Sequence, residues 1–273
     1  MHRFVAPDCF RARAVRLVTA FVLAVAVLGC GNSPAAAPTC TAGSEGCTSI
    51  LFLGNSYTYV NNLPDTFARL ADSGSRRVNA QMIANGSETL MQHAQAAESL
   101  DKIASTAWNY VMLQEQSQTP ATAYGREQTA SAVQLLARKA GAIGARTMLF
   151  LTPAHRDGMP EASLPDYASM QRAIDDGYLS VARRLDKAIV PAGYVWFLVR
   201  ERHAEISLWQ DDGSHPTIAG TYLEACVFYA AIFHQPSAGL GYLDGLPADQ
   251  ARILQSAADD NVLPSLHEWG LDL

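Results

Sequence analysis

The sequence predicts an α/β protein, with a parallel sheet of about five strands covered on both faces by helices. Three observations carry this. Short apolar runs recur from residue 49 onward, and stretches of helical periodicity separate them. The runs are apolar without alternation, as strands buried on both faces are. The residues with reactive side chains follow strand ends or sit in late loops, which is where a doubly wound sheet builds its site.

The elements follow in order. Ser49–Leu53 (Ser-Ile-Leu-Phe-Leu) is a buried strand ending at Gly54. A helix starts near Leu63-Pro64-Asp65 and runs to about Asp72, before Gly74. Val78–Ile83 is a second strand, and Leu90–Ser105, rich in Ala, Gln and Leu, is helical. Asn109–Leu113 is the third strand, followed by a helix over Tyr124–Ala140 that Gly141 closes. Arg146–Leu151 is the fourth, followed by a long helix over Pro165–Leu185 despite Gly177. Lys187–Val190 is a short fifth strand, with helices near Val195–Arg202, Pro216–His234 and Ala248–Ala258. The architecture expected is three-layer α/β/α, flavodoxin-like and doubly wound.

The N-terminal segment reads differently. Arg3, Arg11, Arg13 and Arg16 precede an apolar run from Leu17 to Gly29, too short for an ordinary membrane span. A basic start, a short apolar core and small residues at the cut describe an export signal over 1–29. Leu28-Gly29-Cys30 resembles the lipobox of bacterial lipoproteins. That resemblance implies a mature N-terminus at Cys30 carrying lipid, in the bacterial cell envelope. Residues 30–48 form a Pro-containing, small-residue tether; its flexible part spans about 25 Å. The catalytic unit is expected over 49–273. In an oxidising compartment Cys40 and Cys47 can form a local disulfide, while Cys226 sits in an apolar helical pattern as a buried small hydrophobe.

The chain carries 20 basic and 26 acidic side chains. Loss of four arginines and Asp8 with the signal leaves 16 against 25, about −9. No basic stripe remains, which argues against nucleic acid and against a charge-driven grip on anionic lipid. The membrane would be held by the N-terminal lipid only. His93, His203, His234 and His267 lack paired metal-ligand spacing, so no metal or other cofactor is expected.

Two short blocks carry the chemistry. Gly54-Asn55-Ser56 follows the first strand, and Asp212-Gly213-Ser214-His215 lies near the C-terminus. One tight turn can present the Asp212 carboxylate to one imidazole nitrogen of His215. The other nitrogen is then free to take the Ser56 proton, as serine nucleophilic catalysis requires. Each block alone could be an ordinary turn or helix cap. Asp211 rivals Asp212 but stands four residues before the histidine rather than three. His155-Arg156-Asp157 follows the fourth strand and can line the same pocket or form a salt-bridged loop. Tyr57 and Tyr59 flank the serine; Trp196, Phe197 and Trp209 belong to the core or the pocket wall.

In order and spacing these blocks resemble the SGNH or GDSL-type hydrolases. The resemblance covers the domain after residue 49 and implies the SGNH hydrolase fold. It implies Ser56 as nucleophile, Asp212 and His215 as acid and base, and an oxyanion hole that includes Ser56 and Gly86. Gly86 lies in Ala84-Asn85-Gly86-Ser87 after the second strand. Two departures stand out. The family's first-block Asp is Asn55, and its Gly-x-Asn-Asp third block is Gln114-Glu115-Gln116-Ser117. Counting from the strand end puts Gln116 at the Asn position, with Gln114 as the alternative donor. Glu115 is expected to turn away or bind a neighbouring loop.

The expected function is a serine esterase acting on short-acyl esters, such as O-acetyl groups of glycans or small molecules. A lipase, a thioesterase or an acyltransferase would use the same residues. A glycan-binding or scaffold lipoprotein on the same fold is the reading from a different class.

Overall fold

The structure, a computed structural model, describes residues 40–272. The expected signal, the lipidation site Cys30 and most of the tether lie outside these residues. Five strands form one sheet: β1 (Cys47–Gly54), β2 (Arg77–Ala84), β3 (Tyr110–Leu113), β4 (Arg146–Phe150) and β5 (Ala188–Val190). Their order is β2-β1-β3-β4-β5, and every neighbouring pair is parallel. The order reverses at β1, so the crevice opens between the carboxyl ends of β1 and β3.

The helices are α1 (Ser56–Tyr59), α2 (Leu63–Ser73), α3 (Leu90–Gln95), α4 (Ala97–Ala104), α5 (Ala123–Gly141), α6 (Tyr167–Leu185), α7 (Ala192–Arg202), α8 (Ile218–Phe233) and α9 (Ala248–Val262). Helix α8 packs against α2, α7 and α9, while α5 packs against α3, α4 and α6. Covered on both faces, Ile50, Leu51, Phe52 and Leu53 are buried without alternation. Phe228 of α8 sits at the centre of an aromatic knot, its ring 5.4 Å from Phe52, 5.0 Å from Phe150 and 6.1 Å from Phe67. Among the described residues no helix is long and apolar enough to cross a membrane.

Register fixes the site before any side chain is considered. Leu53 is level with Leu113, and Gly54 is level with Ala84. Ser56, Gly86 and Gln116 each follow their strand end by two or three residues, so all three rise from one edge of the sheet.

The structure refines several boundaries. β1 begins at Cys47, and Cys47 is joined to Cys40 by a disulfide, so the last residues of the expected tether belong to the fold. The stretch expected as one helix over 90–105 is two, broken at Ala96, which is extended (φ −81°, ψ 122°). The break has a cause in His93, which is fully buried. Its Nε2 donates to the Gly54 carbonyl at 2.8 Å, and Nδ1 bonds Ser99 Oγ at 2.8 Å. The chain must turn after α3 to bring Ser99 onto that ring. Helix α1 has no counterpart in the sequence reading; a four-residue helix is too short to show a period. Gly177 in α6 is explained by close packing, since a Cβ there would collide with the Pro120 carbonyl.

Phe228→Ala should cost about 3–5 kcal/mol of unfolding free energy, because it empties the contact point of three rings. Denaturant unfolding of the two proteins measures it.

Candidate active site

Asn55 caps α1 and sets the loop that carries Ser56. Its Oδ1 accepts from Tyr57 N at 3.2 Å and from Gln114 Nε2 at 3.0 Å. Its backbone N–H donates to Gln114 Oε1 at 2.8 Å, and its Nδ2 donates to the Glu88 carbonyl at 3.0 Å. An aspartate could not make that last bond, which gives Asn55 a reason of its own. Gln114 Oε1 also accepts from Thr58 Oγ1 at 2.9 Å, and Gln114 Nε2 also donates to the Glu115 carbonyl at 2.7 Å. Both ends of this buried amide are committed to the loop, so Gln114 is not free to serve an oxyanion.

Ser56 is the first residue of α1, where the backbone N–H has no acceptor within the helix. Its Oγ lies 2.9 Å from His215 Nε2. His215 Nδ1 lies 2.6 Å from Asp212 Oδ2, while Asp212 Oδ1 accepts from Ser214 N at 2.9 Å and His215 N at 3.0 Å. One carboxylate thus organises its own turn and the imidazole beyond it. Gly213, at φ +68°, supplies the left-handed residue the turn needs. The hydrogen bond from His215, followed by those from the two N–H groups, pushes the Asp212 carboxyl down to about 2 against the opposing effect of desolvation. Asp211 is exposed and makes no such contact.

The loop holding this pair is anchored on both sides. Gln210 N donates to the His215 carbonyl at 2.8 Å, and Arg156 N donates to the Gly213 carbonyl at 2.7 Å. Trp209 is buried, with Nε1 donating to the Ala154 carbonyl at 3.0 Å and its ring edge-on to Tyr167 and Trp196. Tyr57 hydroxyl meets Ser214 Oγ at 3.0 Å, tying α1 to the same turn. Burial pushes the Tyr57 phenol up to about 12, so it stays protonated.

Gln116 lines the hollow of about 170 Å³ over Ser56, together with Ser87, Ser117, His155 and His215. Gln116 Oε1 accepts from Gln118 N, Thr119 N and Thr119 Oγ1, which orients the amide and leaves Nε2 as its donor. That Nε2 lies 3.3 Å from Ser117 Oγ. Gly86 is exposed beside the hollow, and it is the next residue, Ser87, that lines it. The loop turns here because Glu88 folds back on Asn85: N to carbonyl at 3.2 Å, and carboxylate from the Asn85 amide at 2.9 Å. Glu115 points away, buried. Its Oε1 accepts from Leu90 N and Gln116 N, and Oε2 accepts from Thr129 Oγ1 at 3.0 Å. Burial raises its pKa despite those donors.

Three features had little or no signature in the sequence: the Gln114 lock, the buried His93 and a second serine–histidine contact. The last joins Ser117 Oγ to His155 Nε2 at 3.1 Å. Burial lowers the His155 pKa, with the nearby His215 adding to the effect. His155 stood out only by its place after β4. Among the described residues no group of three His, Cys, Asp or Glu side chains could hold a metal ion.

With the geometry in hand, comparisons with known proteins agree on the fold. No family profile matches the chain, and no curated protein does. Solved structures do. A protein assigned to the SGNH hydrolases, from Slackia heliotrinireducens, is 27% identical at a TM-score of 0.56, covering 67% of this chain and 97% of that one. A DUF4886 family protein from Bacteroides uniformis is 18% identical at a TM-score of 0.68, covering 81% and 96%. The acetyl xylan esterase AlAXEase is 11% identical at a TM-score of 0.56, covering 67% and 99%. The five-stranded parallel sheet and its flanking helices are those of the SGNH hydrolase fold.

The depressed Asp212 pKa makes the folded carboxyl more acidic than the unfolded one. Its contribution to stability is present above the unfolded value of about 3.9 and is lost as pH falls through about 2. A carboxyl NMR titration should place the Asp212 midpoint near about 2, and His215→Ala should move it up toward the unfolded value.

Proposed function

We propose that the protein is a serine esterase that cleaves short-acyl esters, with O-acetyl groups on glycans as the favoured class. The unbroken chain from Asp212 to His215 to Ser56, at 2.6 and 2.9 Å, carries this reading. His215 Nε2 takes the Ser56 proton as Oγ bonds to the ester carbon. Asp212, ionised through the whole neutral range, holds the ring and balances the imidazolium. The developing oxyanion is met by the Ser56 N–H, by the Gly86–Ser87 turn and by Gln116 Nε2. Collapse breaks the ester C–O bond, and the leaving alcohol takes the proton from His215. Water then attacks the acyl-serine with His215 again as base, releasing the acid and restoring Ser56.

The substrate class draws on two supports. The hollow over Ser56 is small, about 170 Å³, and polar-lined, which suits a short acyl group. Two neighbours of the same fold are named for acetylated xylan and xylo-oligosaccharides. The N-terminal sequence supports a further part of the proposal: anchoring through a lipid on Cys30, with the enzyme exported to the bacterial cell envelope.

Hydrolysis of p-nitrophenyl acetate tests the chemistry. Ser56→Ala should fall to near background and lose fluorophosphonate labelling, whereas a binding module would show neither activity nor label in the parent protein. Gln116→Ala should lower kcat by about 10²–10³. On the acid side kcat/KM should fall about tenfold per pH unit, the slope for one proton, because a protonated imidazole cannot take the Ser56 proton while Asp212 stays ionised down to about 2.

A further inference from the structure

A second, larger hollow of about 490 Å³ adjoins the first. Gln116 and Gln118 line both. Its other walls come from α3, the start of α5 and the 159–162 turn, and include Met91, Gln92, Tyr124, Gln128 and Met159. The Tyr124 ring is 77% exposed, more than any other large hydrophobic side chain among the described residues. The only ionisable carboxylate in the lining, Glu115, is satisfied by Leu90, Gln116 and Thr129. Among the described residues the side-chain amides of Gln118 and Gln128 have no hydrogen-bond partner. Gln92 has its oxygen held by Thr89 at 2.8 and 3.1 Å, which leaves its NH2 group open.

We propose that this hollow seats the sugar ring that carries the ester, so that the alcohol half of the substrate lies there while the acyl group sits over Ser56. The proposal rests on the esterase reading and names the residues that would choose its substrate. Its chemistry is that of a neutral pyranose. The C–H faces of the ring fit against Tyr124 and the two methionines, and its rim of hydroxyls meets the open amides. An acyl chain in the same place would strip water from those amides and return no hydrogen bond. A charged ligand would find no counter-charge. The shared Gln116 and Gln118 put the two hollows side by side, as a bond between ring oxygen and acyl carbon requires.

The test uses the full chain with Tyr124→Ala, Tyr124→Phe and Gln128→Ala, none of which touches the hollow over Ser56. The probes are vinyl acetate, whose alcohol half carries no ring, and a panel of acetylated xylo-, manno- and cello-oligosaccharides. Tyr124→Ala should lower kcat/KM on at least one oligosaccharide about tenfold, mainly through KM. Vinyl acetate turnover should stay within about twofold, and Tyr124→Phe should restore the oligosaccharide rate. Equal losses on both kinds of substrate, unchanged oligosaccharide kinetics, or vinyl acetate turnover with no oligosaccharide turnover would overturn the proposal. So would a loss confined to long-chain p-nitrophenyl esters, which would make the hollow an acyl site. Failure of the esterase reading looks different: no ester is turned over and Ser56 takes no fluorophosphonate. Calorimetry with the unacetylated oligosaccharides then decides, since Tyr124-dependent binding keeps the sugar site and no binding removes it.

Discussion

Two amides facing each other where β1 and β3 part hold the site in place. The Asn55 backbone donates to the Gln114 oxygen, and the Gln114 nitrogen donates to the Asn55 side chain, at 2.8 and 3.0 Å. Both residues are buried, where such bonds are felt strongly and an unmade one is costly. The pair ties the loop bearing Ser56 to the loop bearing Gln116. Beneath it His93 grips the Gly54 carbonyl, and beside it Glu115 binds the first N–H of α3. Three loops from three strands are thereby made into one rigid rim.

The two halves of the rim are built differently. On the β1–β3 side Asn55, His93, Gln114 and Glu115 are buried and bonded to one another's loops, so position comes from a network. On the C-terminal side position comes from one turn, in which Asp212 holds its own backbone and the imidazole together. The second side is open to solvent, yet it is clamped to the 154–156 loop through Arg156 N and Trp209 and to α1 through Tyr57. In the proposed reaction, rigidity of this kind would keep donors aimed at a developing charge without reorganisation.

Much of this was legible in the sequence, for physical reasons that vary along the chain. The strands were readable because apolar runs such as Ile50–Leu53 and Val111–Leu113 have to be buried on both faces. The Asp212–His215 turn was readable because its logic is local and Gly213 announces the bend. What escaped depends on partners far apart in sequence. Nothing near His93 tells that its ring reaches Gly54, so the break at Ala96 was invisible. Gln114 and Gln116 look alike on paper. Only the fold assigns the first to the loop and leaves the second with an open donor. Glu224 is fully buried in α8 with neither oxygen bonded to a described residue, and burial pushes its carboxyl well above the usual carboxylate range.

Asp212 and His215 sit three residues apart on one turn, while Ser56 sits on another element. Any shift of the 209–216 loop against β1 would carry carboxylate and imidazole together and preserve their contact. Of the two contacts, the one between His215 and Ser56 would be the one to change. The proposed triad would therefore open and re-form along a single coordinate, like a latch whose bolt is already assembled.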